Sequence, residues 1–459
     1  MNKGEGKYLY RRICAFIMTT VATVMFMFVW YRFVKVNNHT GRLLGKGNLG
    51  MAMILYIIIF ALVGNGLRAY KIGVERKAMI MASVVLTAFT TDMIEILVSM
   101  AITGQFRFFG NFFWRYALLF IAQSIVLSIL AIPMIDIYRK IFPPLRLLEV
   151  YGDYKHGLHR KVNGVKYKYR VAEMVHYSIG EDGIKEKMGQ YDAVLISDVP
   201  SYYKNKILKL CLDNDKRVYL VPKISDIIVR YSEELNVIDT PLLLCRNTGI
   251  SYFESIVKRA CDIMLGGIAL IVLSPIFLVT AIAIKLEDGG PVFYKQERCT
   301  INGERFMILK FRSMIVDAEK DGRPHPAGEK DPRITKVGNV IRAFRIDELP
   351  QLINIISGTM SIVGPRPERV EHVEMYTAEI PEFTFRSKVK GGLTGYAQVY
   401  GKYNTTALDK LKLDLIYIMN YSLLLDLQII FETVKILFQR ESTEGFSEER
   451  IAEMRGDRN

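Results

Sequence analysis

Residues 260–284 read ACDIMLGGIALIVLSPIFLVTAIAI. At about 1.5 Å per residue this run is long and apolar enough to cross a bilayer. It carries Ser274-Pro275 near its middle. Proline in a helix interior removes a hydrogen bond and costs about 3 kcal/mol when uncompensated. In lipid the freed group has to be satisfied locally, and the Ser274 hydroxyl is placed to help. Two foldings are open. A kinked crossing helix carries everything after Lys285 to the far side. A re-entrant helix enters, breaks at Ser274-Pro275 and leaves by the face it entered. Lys258 and Arg259 precede the run; Lys285, Lys295 and Arg298 follow it. Positive charge on both flanks fits the hairpin better than the crossing.

Upstream, apolar stretches at 13–30, 49–67, 78–102 and 116–137 predict a four-helix transmembrane region over residues 1–140. The first is not a cleaved signal peptide, because three spans follow it and no small-residue cleavage site closes it. Lys3, Lys7, Arg11 and Arg12 precede the first span, and Arg68, Lys71, Arg76 and Lys77 separate the second from the third. Arg32, Lys35, Arg42, Lys46, Arg107 and Arg115 oppose them. The balance slightly favours a cytoplasmic N-terminus, and four spans return the chain to that side before Arg139 and Lys140. Asp92 and Glu95 share one face of the third span. An intramembrane carboxylate suggests function by default, but a helix–helix interface is the plainer reading.

The chain has 459 residues, room for about three domains of roughly 150 residues. Half its residues are hydrophobic, 24% are charged and the net charge is +14. Apolar and charged residues fall in separate blocks, which excludes a disordered chain, a collagen-like chain and a small disulfide scaffold. Cys14, Cys211, Cys245, Cys261 and Cys299 show no paired spacing. That argues against a disulfide framework or a zinc site, and for a reducing compartment. Residues 145–248 read as a cytosolic α/β domain of Rossmann-like type. Stretches 191–196 and 217–222 have the look of buried strands, and 204–215 between them that of a helix, a βαβ unit with a parallel sheet. Residues 152–157 do not form the G-x-G-x-x-G fingerprint, so no ligand is assigned there. His156 and His159 read as surface residues rather than metal ligands.

Downstream of the 260–284 run the character changes. Lys295-Gln296-Glu297-Arg298 is followed by Lys310-Phe311-Arg312-Ser313-Met314, then by Asp331-Pro332-Arg333-Ile334-Thr335 and Arg342. Asp347-Glu348-Leu349-Pro350-Gln351, Val363-Gly364-Pro365-Arg366-Pro367 and Gly391-Gly392-Leu393-Thr394-Gly395 complete the block. Each alone is an ordinary solvated loop. Together they supply basic residues, two adjacent carboxylates and Gly/Pro turns, which is what binding a nucleotide diphosphate requires. Arginine and lysine neutralise phosphate oxygens. Carboxylates hold a hard cation such as Mg²⁺ or attack phosphorus. Asp347-Glu348 opens a helix-like stretch with Pro350 in its first turn. The helix dipole there is expected to keep Asp347 ionised.

These motifs, in this order, closely resemble the bacterial sugar transferase family of polyprenyl-phosphate sugar-1-phosphate transferases, enzymes that start exopolysaccharide, capsule or O-antigen assembly. The resemblance runs from about Lys258 to Phe438, and the front half looks like the long form of the family. The implied fold is a membrane α-helical bundle, a Rossmann-like α/β domain and a mainly α monotopic catalytic domain over 255–440 with a re-entrant membrane helix at 260–284. A polar tail, 441–459, ends the chain. The resemblance implies a bacterial inner-membrane, multi-pass protein whose active site faces the cytosol. Its substrates would be a UDP-sugar and undecaprenyl phosphate, its products UMP and an undecaprenyl diphospho-sugar, and its intermediate a sugar-phosphoryl aspartate. Asp347 would be the nucleophile and Glu348 its support, the two holding Mg²⁺. Arg298, Lys310, Arg312, Arg333, Arg342, Arg366, Gly392 and Thr394 would bind substrate. The lipid bilayer and a second copy of the chain are the expected partners, and nucleic acid is not. Which hexose is transferred is not legible.

The chain leaves the family pattern twice. Gly391 stands where the family usually has proline, and Thr300, two residues after Arg298, where it usually has glycine. Two competing readings stay open. One is a non-catalytic scaffold that binds UDP-sugar within a polysaccharide assembly complex; an intact Asp347-Glu348 argues against it. The other is a polytopic transporter with five or more spans.

Overall fold

The computed structural model describes residues 3–35, 46–104, 109–152, 158–245, 249–316, 318, 331–401 and 405–437. Arg42, Arg107, His156 and the expected tail 441–459 lie outside the described residues. Two compact units part between Val221 and Pro222.

The first unit opens with four long helices: α1 (Lys3–Val29, continued by a π-helical segment Trp30–Lys35), α2 (Lys46–Gly66), α3 (Lys77–Thr103) and α4 (Phe109–Ile141). They match the four predicted spans, with α1 and α4 extended by more than a turn and α2 and α3 by about two residues. Each packs on the next and α1 closes on α4, the ring of an up-and-down bundle. Phe26 stacks on Tyr56 at 4.1 Å in its core, with Met18, Ile80, Ile96, Tyr116, Leu127 and Ile135 buried around them. Phe16, Phe28, Leu62, Leu118 and Ile129 point outward and stay exposed. Outward apolar side chains on long apolar helices are what a lipid surround allows. Among the described residues five helices are long and apolar enough to cross a membrane, these four and one in the second unit. Asp92 and Glu95 are fully buried between helices. Beside them the Tyr56 hydroxyl donates to Gln123 Oε1 (3.1 Å), and Gln123 Nε2 donates to the Ala22 carbonyl (3.0 Å).

At one end of the bundle Arg11 donates from Nε to the Ile72 carbonyl (2.8 Å) and from Nη2 to the Tyr138 hydroxyl (3.1 Å). The start of α1, the α2–α3 loop and the end of α4 therefore meet there, bringing Arg68, Lys71, Arg76, Arg139 and Lys140 to one end. The chain continues into β1 (Leu145–Tyr151), α5 (Leu158–Asn163), β2 (Tyr169–His176), α6 (Gly180–Met188), β3 (Ala193–Ser197), α7 (Ser201–Asp213) and β4 (Arg217–Leu220). The strands form one parallel sheet in the order β2-β1-β3-β4. Ile184, Met188, Ile207 and Cys211 cover one face; Leu158 and Val162 pack on the other. Helices on both faces bury β3 completely, which is why its sequence is continuously apolar.

The second unit begins inside the span read from the sequence as one domain, 145–248. After Val221 the chain leaves the sheet. Ile227 of α8 (Ile224–Arg230) packs with Phe383, Leu411 and Leu415 of the second unit, so apolar contact overrides sequence proximity. An exposed hairpin, β5 (Glu233–Val237) and β6 (Thr240–Leu244), follows. Next comes α9 (Tyr252–Asp288), 37 residues, roughly 55 Å of helix. Ser251 and Glu254 form a capping box at its start, and Gly289, at φ +71°, closes it.

No break in the α9 helix falls at Ser274-Pro275. Pro275 leaves the Ile271 carbonyl without its usual donor, and the Ser274 hydroxyl donates to that carbonyl at 2.7 Å. One stripe of α9 packs on its own unit from end to end. Lys258 pairs with Asp426 (2.6 Å), and Asp262 Oδ1 accepts the Ile362 N–H (3.0 Å). Leu270, Leu273 and Phe277 pack on Ile308, Leu352 and Ile355, and Ile284 joins Phe311 and Ile341. The opposite stripe, with Ile268, Ile271, Val272, Leu278 and Val279, is exposed.

The remaining elements are β7 (Phe293–Cys299), β8 (Arg305–Phe311), α10 (Lys336–Ala343), α11 (Gln351–Ser357), β9 (Ser361–Val363), α12 (Val370–Glu379), β10 (Gly392–Thr394), α13 (Tyr396–Tyr400), α14 (Ala407–Met419) and α15 (Leu423–Leu437). The charges of α14 and α15 turn inward. Asp414 pairs with Arg386 (2.8 Å), Lys410 with Glu368 (2.7 Å), Asp426 with Lys258, and Lys435 with Glu432 (2.5 Å). Leu423, Leu424 and Leu427 stay exposed. All five cysteines are free.

Candidate active site

The antiparallel hairpin β7–β8 supplies one wall. Tyr294 pairs with Lys310, Gln296 with Ile308 and Arg298 with Phe306. The two-residue period of a strand puts Arg298, Ile308 and Lys310 on one face. A second wall comes from the short parallel pair β9–β10, with Gly392 opposite Ser361. A Cβ on Gly392 would stand 2.1 Å from the Gly364 nitrogen, so this approach of two loops needs glycine. Arg298, Ile308, Lys310, Gln351, Arg366, Pro367 and Gly392 line one pocket.

Asp347 and Glu348 sit in a single 3₁₀ turn, Ile346–Glu348, just before α11. Arg345 enters that turn at φ +57°, a left-handed conformation uncommon outside glycine. Glu348 is buried, and its Oε1 accepts from Lys310 Nζ (3.1 Å) and Arg366 Nη2 (2.8 Å). Burial alone would raise its pKa, but Arg366 and Lys310 hold it well below the ordinary carboxylate range. Asp347 behaves oppositely. Burial first, and then the charge of Glu348, raise its pKa against the pull of Lys310, Arg342 and Arg345. Its Oδ1 is buried without a hydrogen-bond partner. The helix dipole expected to favour the ionised form of Asp347 is thus opposed by burial. Asp347 lies in the turn before a helix of only seven residues, and desolvation outweighs the dipole. Burial also lowers Lys310, and with the Arg366 charge takes Arg298 down to about 10.

Of the residues picked from the sequence, Arg298, Lys310, Arg366 and Gly392 meet in the pocket, with Glu348 bonded to two of them and the charges of Asp347 and Arg342 nearby. Three others are engaged elsewhere. Arg312 is buried against Asp288 (Nη1 to Oδ2, 2.6 Å) and the Pro291 carbonyl (2.7 Å), fastening β8 to the end of α9. Arg333 holds Asp331 (2.6 Å) and the Ala318 carbonyl (3.2 Å). The Thr394 hydroxyl meets that of Thr433 at 2.6 Å. Among the described residues no group of three or more acidic, histidine or cysteine side chains is placed to hold a metal.

The family model described as bacterial sugar transferase matches residues 253–440. The exopolysaccharide production protein ExoY of Sinorhizobium fredii is 39% identical over 210 residues, 42% of this chain and 92% of that protein. The chain belongs to the bacterial sugar transferase family. Two longer relatives are the UDP-glucose:undecaprenyl-phosphate glucose-1-phosphate transferase of Escherichia coli and the UDP-N-acetylgalactosamine-undecaprenyl-phosphate N-acetylgalactosaminephosphotransferase of Aeromonas hydrophila. The first is 39% identical over 236 residues, 50% of each chain. The second is 44% identical over 184 residues, 39% of this chain and 43% of the relative. The match thus spans about half the length of these two relatives.

Two features of this sugar transferase escaped the sequence reading. Gln351 is 2% exposed and lines the pocket, and its Nε2 has no hydrogen-bond partner. Its place four residues after Asp347 was the available signal, since that spacing puts both on one face of a helical stretch. The second is the buried group Glu368, Arg386, Lys410 and Asp414 behind the pocket. Arg386 Nη2 donates to the Arg366 carbonyl (2.9 Å), and its Nε donates to Asp414 Oδ2 (3.0 Å). No local spacing announces it, because its members come from three separate segments.

Proposed function

We propose that this membrane protein transfers a sugar-1-phosphate from a UDP-sugar to undecaprenyl phosphate, releasing UMP, at the start of surface-polysaccharide assembly. The observation that carries the reading is the unpartnered, buried Oδ1 of Asp347. It lies beside a Glu348 neutralised by Lys310 and Arg366, at a pocket that also presents Arg298. The names of the E. coli and Aeromonas relatives supply the substrate classes.

In the first step an Asp347 carboxylate oxygen bonds to the sugar-bearing phosphorus. The bond from that phosphorus to the UMP oxygen breaks, and UMP leaves with the electron pair. In the second step an oxygen of undecaprenyl phosphate attacks the same phosphorus and expels Asp347 as a carboxylate. One phosphoanhydride replaces another, so no outside energy source is required. Burial strips water from Asp347 and raises its proton affinity, which sharpens its ionised form as a nucleophile. Arg298, Lys310 and Arg366 offset the diphosphate charge. Glu348 keeps Lys310 and Arg366 in place.

Magnesium fits this site, because that ion is commonly bound by one or two carboxylates together with substrate phosphates. Asp347, through its unpartnered Oδ1, and Glu348 would hold it. When bound it would neutralise part of the diphosphate charge.

UDP-sugar is water-soluble and undecaprenyl phosphate is lipid-bound, so the site belongs at a cytosolic membrane interface of the bacterial inner membrane. The packing of α9 along its own unit supports a monotopic reading of residues 255–440, with the exposed stripe of α9 towards lipid and without the break at Ser274-Pro275 that the hairpin expected. A crossing α9 would drag the charged unit packed along it into the bilayer, at high cost. The exposed leucines of α15 lie beside the base of α9, joined to it by Lys258–Asp426, and extend the surface facing lipid. The sheet domain at the basic end of the bundle would be cytosolic and Rossmann-like.

The test is UMP release in nanodiscs with undecaprenyl phosphate, Mg²⁺ and a panel of UDP-sugars. Release with one sugar, lost on the order of 10³-fold or more in Asp347→Asn, is expected. A folded wild type that releases no UMP, or an Asp347→Asn variant that keeps full turnover, refutes the reading. A Ser442→Cys thiol labelled only from outside the cell refutes the monotopic topology.

A further inference from the structure

Thr300 and Gly391, the two positions singled out in the sequence, touch each other. The Gly391 N–H donates to Thr300 Oγ1 at 3.1 Å, in a buried setting. The Thr300 hydroxyl donates in turn to the Thr359 carbonyl, also at 3.1 Å. Thr300 is 7% exposed. On its other side the Gly391 carbonyl accepts the Ser361 N–H at 2.9 Å. One hydroxyl therefore ties together the end of β7, the turn after α11 and the entry to β10.

All three neighbours of this tie line the pocket. Arg298 stands two residues before Thr300, and Gly392 follows Gly391. Pro367 is the third. A Cβ on Gly391 would lie 2.5 Å from Pro367 Cγ, so any side chain at 391 displaces the Pro367 ring or is displaced by it. Gly391 is not among the glycines with positive φ, so it is contact with Pro367, not backbone conformation, that favours a bare residue.

The two residues are complementary. A proline at 391 has no N–H to donate, and its ring fixes φ by itself. A glycine at 300 has no hydroxyl to receive a hydrogen bond. A proline ring at 391 would restrain the loop by itself; this chain restrains it by a hydrogen bond. A mixed pair would have neither restraint or would leave a buried hydroxyl short of a partner.

We propose that Thr300 and Gly391 are a coupled pair of positioning residues that hold Arg298, Pro367 and Gly392 at the spacing the UDP-sugar diphosphate requires. The pair rests on the transferase reading above. Its effect therefore appears in donor binding before it appears in turnover.

The experiment measures KM for the preferred UDP-sugar and kcat of UMP release in nanodiscs. The variants are Thr300→Val, Thr300→Ser, Thr300→Gly, Gly391→Pro and the double variant Thr300→Gly/Gly391→Pro. Thr300→Val keeps the shape and loses both hydrogen bonds; it is expected to raise KM about five- to tenfold, the worth of a hydrogen bond or slightly more, with kcat within twofold. Thr300→Ser keeps the hydroxyl and is expected to stay within twofold of wild type. Thr300→Gly and Gly391→Pro are each expected to raise KM, and because either change alone removes the same hydrogen bond, the double variant is expected to raise it by less than the product of the two. A melting-temperature cycle on the same five proteins without substrate reads the coupling should one variant lose activity by misfolding. Single effects that multiply in the double variant, in both KM and melting, overturn the pairing. So does a Thr300→Val variant with wild-type KM. A wild type that releases no UMP overturns the transferase reading instead, and the two failures are distinct.

Discussion

Replacing Glu368 with glutamine removes the central charge of the buried group behind the pocket. Glu368 Oε1 accepts from Lys410 Nζ at 2.7 Å and lies 3.8 Å from Arg386 Nη1; its side chain is 8% exposed. Burial alone would raise its pKa, but Lys410 and Arg386 pull it from 4.5 down to about 2. At 1.36 kcal/mol per pH unit that depression is worth about 3 kcal/mol. The magnitude agrees with the cost of stripping one partner from a buried ion pair, about 3–5 kcal/mol. A unit of this size loses roughly 2–4 °C per kcal/mol, so Glu368→Gln is expected to melt roughly 6–12 °C lower at pH 7. Because the folded pKa is depressed, this stabilisation is complete above about pH 4.5 and fades as pH falls towards 2. The assay is intrinsic-fluorescence melting of both proteins in one detergent between pH 7 and pH 3. The gap in melting temperature is expected to be widest at pH 7 and to narrow steadily below pH 4.5. A gap under 2 °C at pH 7, or one that stays constant down to pH 3, refutes the reasoning.

Three further outcomes are expected. The acid limb of kcat/KM for UMP release should lie above the ordinary aspartate range near about 3.9, because burial and Glu348 raise Asp347; Glu348→Gln should move it to lower pH. Gln351→Leu should lower kcat/KM about tenfold while leaving the melting temperature within 2 °C, since the Gln351 amide nitrogen has no partner within the protein to lose. Ser274→Ala should lower the melting temperature by a few degrees, because the Ile271 carbonyl loses its donor, and Ser274→Ala/Pro275→Ala should recover it by restoring the backbone N–H.

The four bundle helices and the parallel sheet were legible because their signals are local. Apolar length marks a span, and short continuous apolar runs mark buried strands such as β3. Arg298, Lys310 and Arg366 were legible as candidate anion binders, and a single face of the β7–β8 hairpin together with the turn after β9 brings them to one pocket. Arg312 and Arg333 carry the same chemistry in the sequence. Asp288 lies 24 residues before Arg312 and Asp331 only two before Arg333, yet nothing local says which arginine is already spoken for. In α14 and α15 an amphipathic pattern by itself suits either a membrane surface or a protein core. It took Arg386, Glu368 and Lys258, all distant in sequence, to turn the charges inward. The boundary after Val221 was hidden for the same reason, because Ile227 finds its core more than 150 residues away, at Phe383 and Leu411.

The stripe of α9 that packs inward has a mechanical consequence. Leu270, Leu273 and Phe277 press on the cluster containing Ile308, and Ile308 is itself a wall of the pocket two residues from Lys310. The outer face of the same turns carries Ile271, Val272, Leu278 and Val279, bare of protein. A single layer of side chains therefore separates the surroundings of α9 from Lys310. Whatever surrounds that face, lipid or detergent, bears on the pocket through that layer.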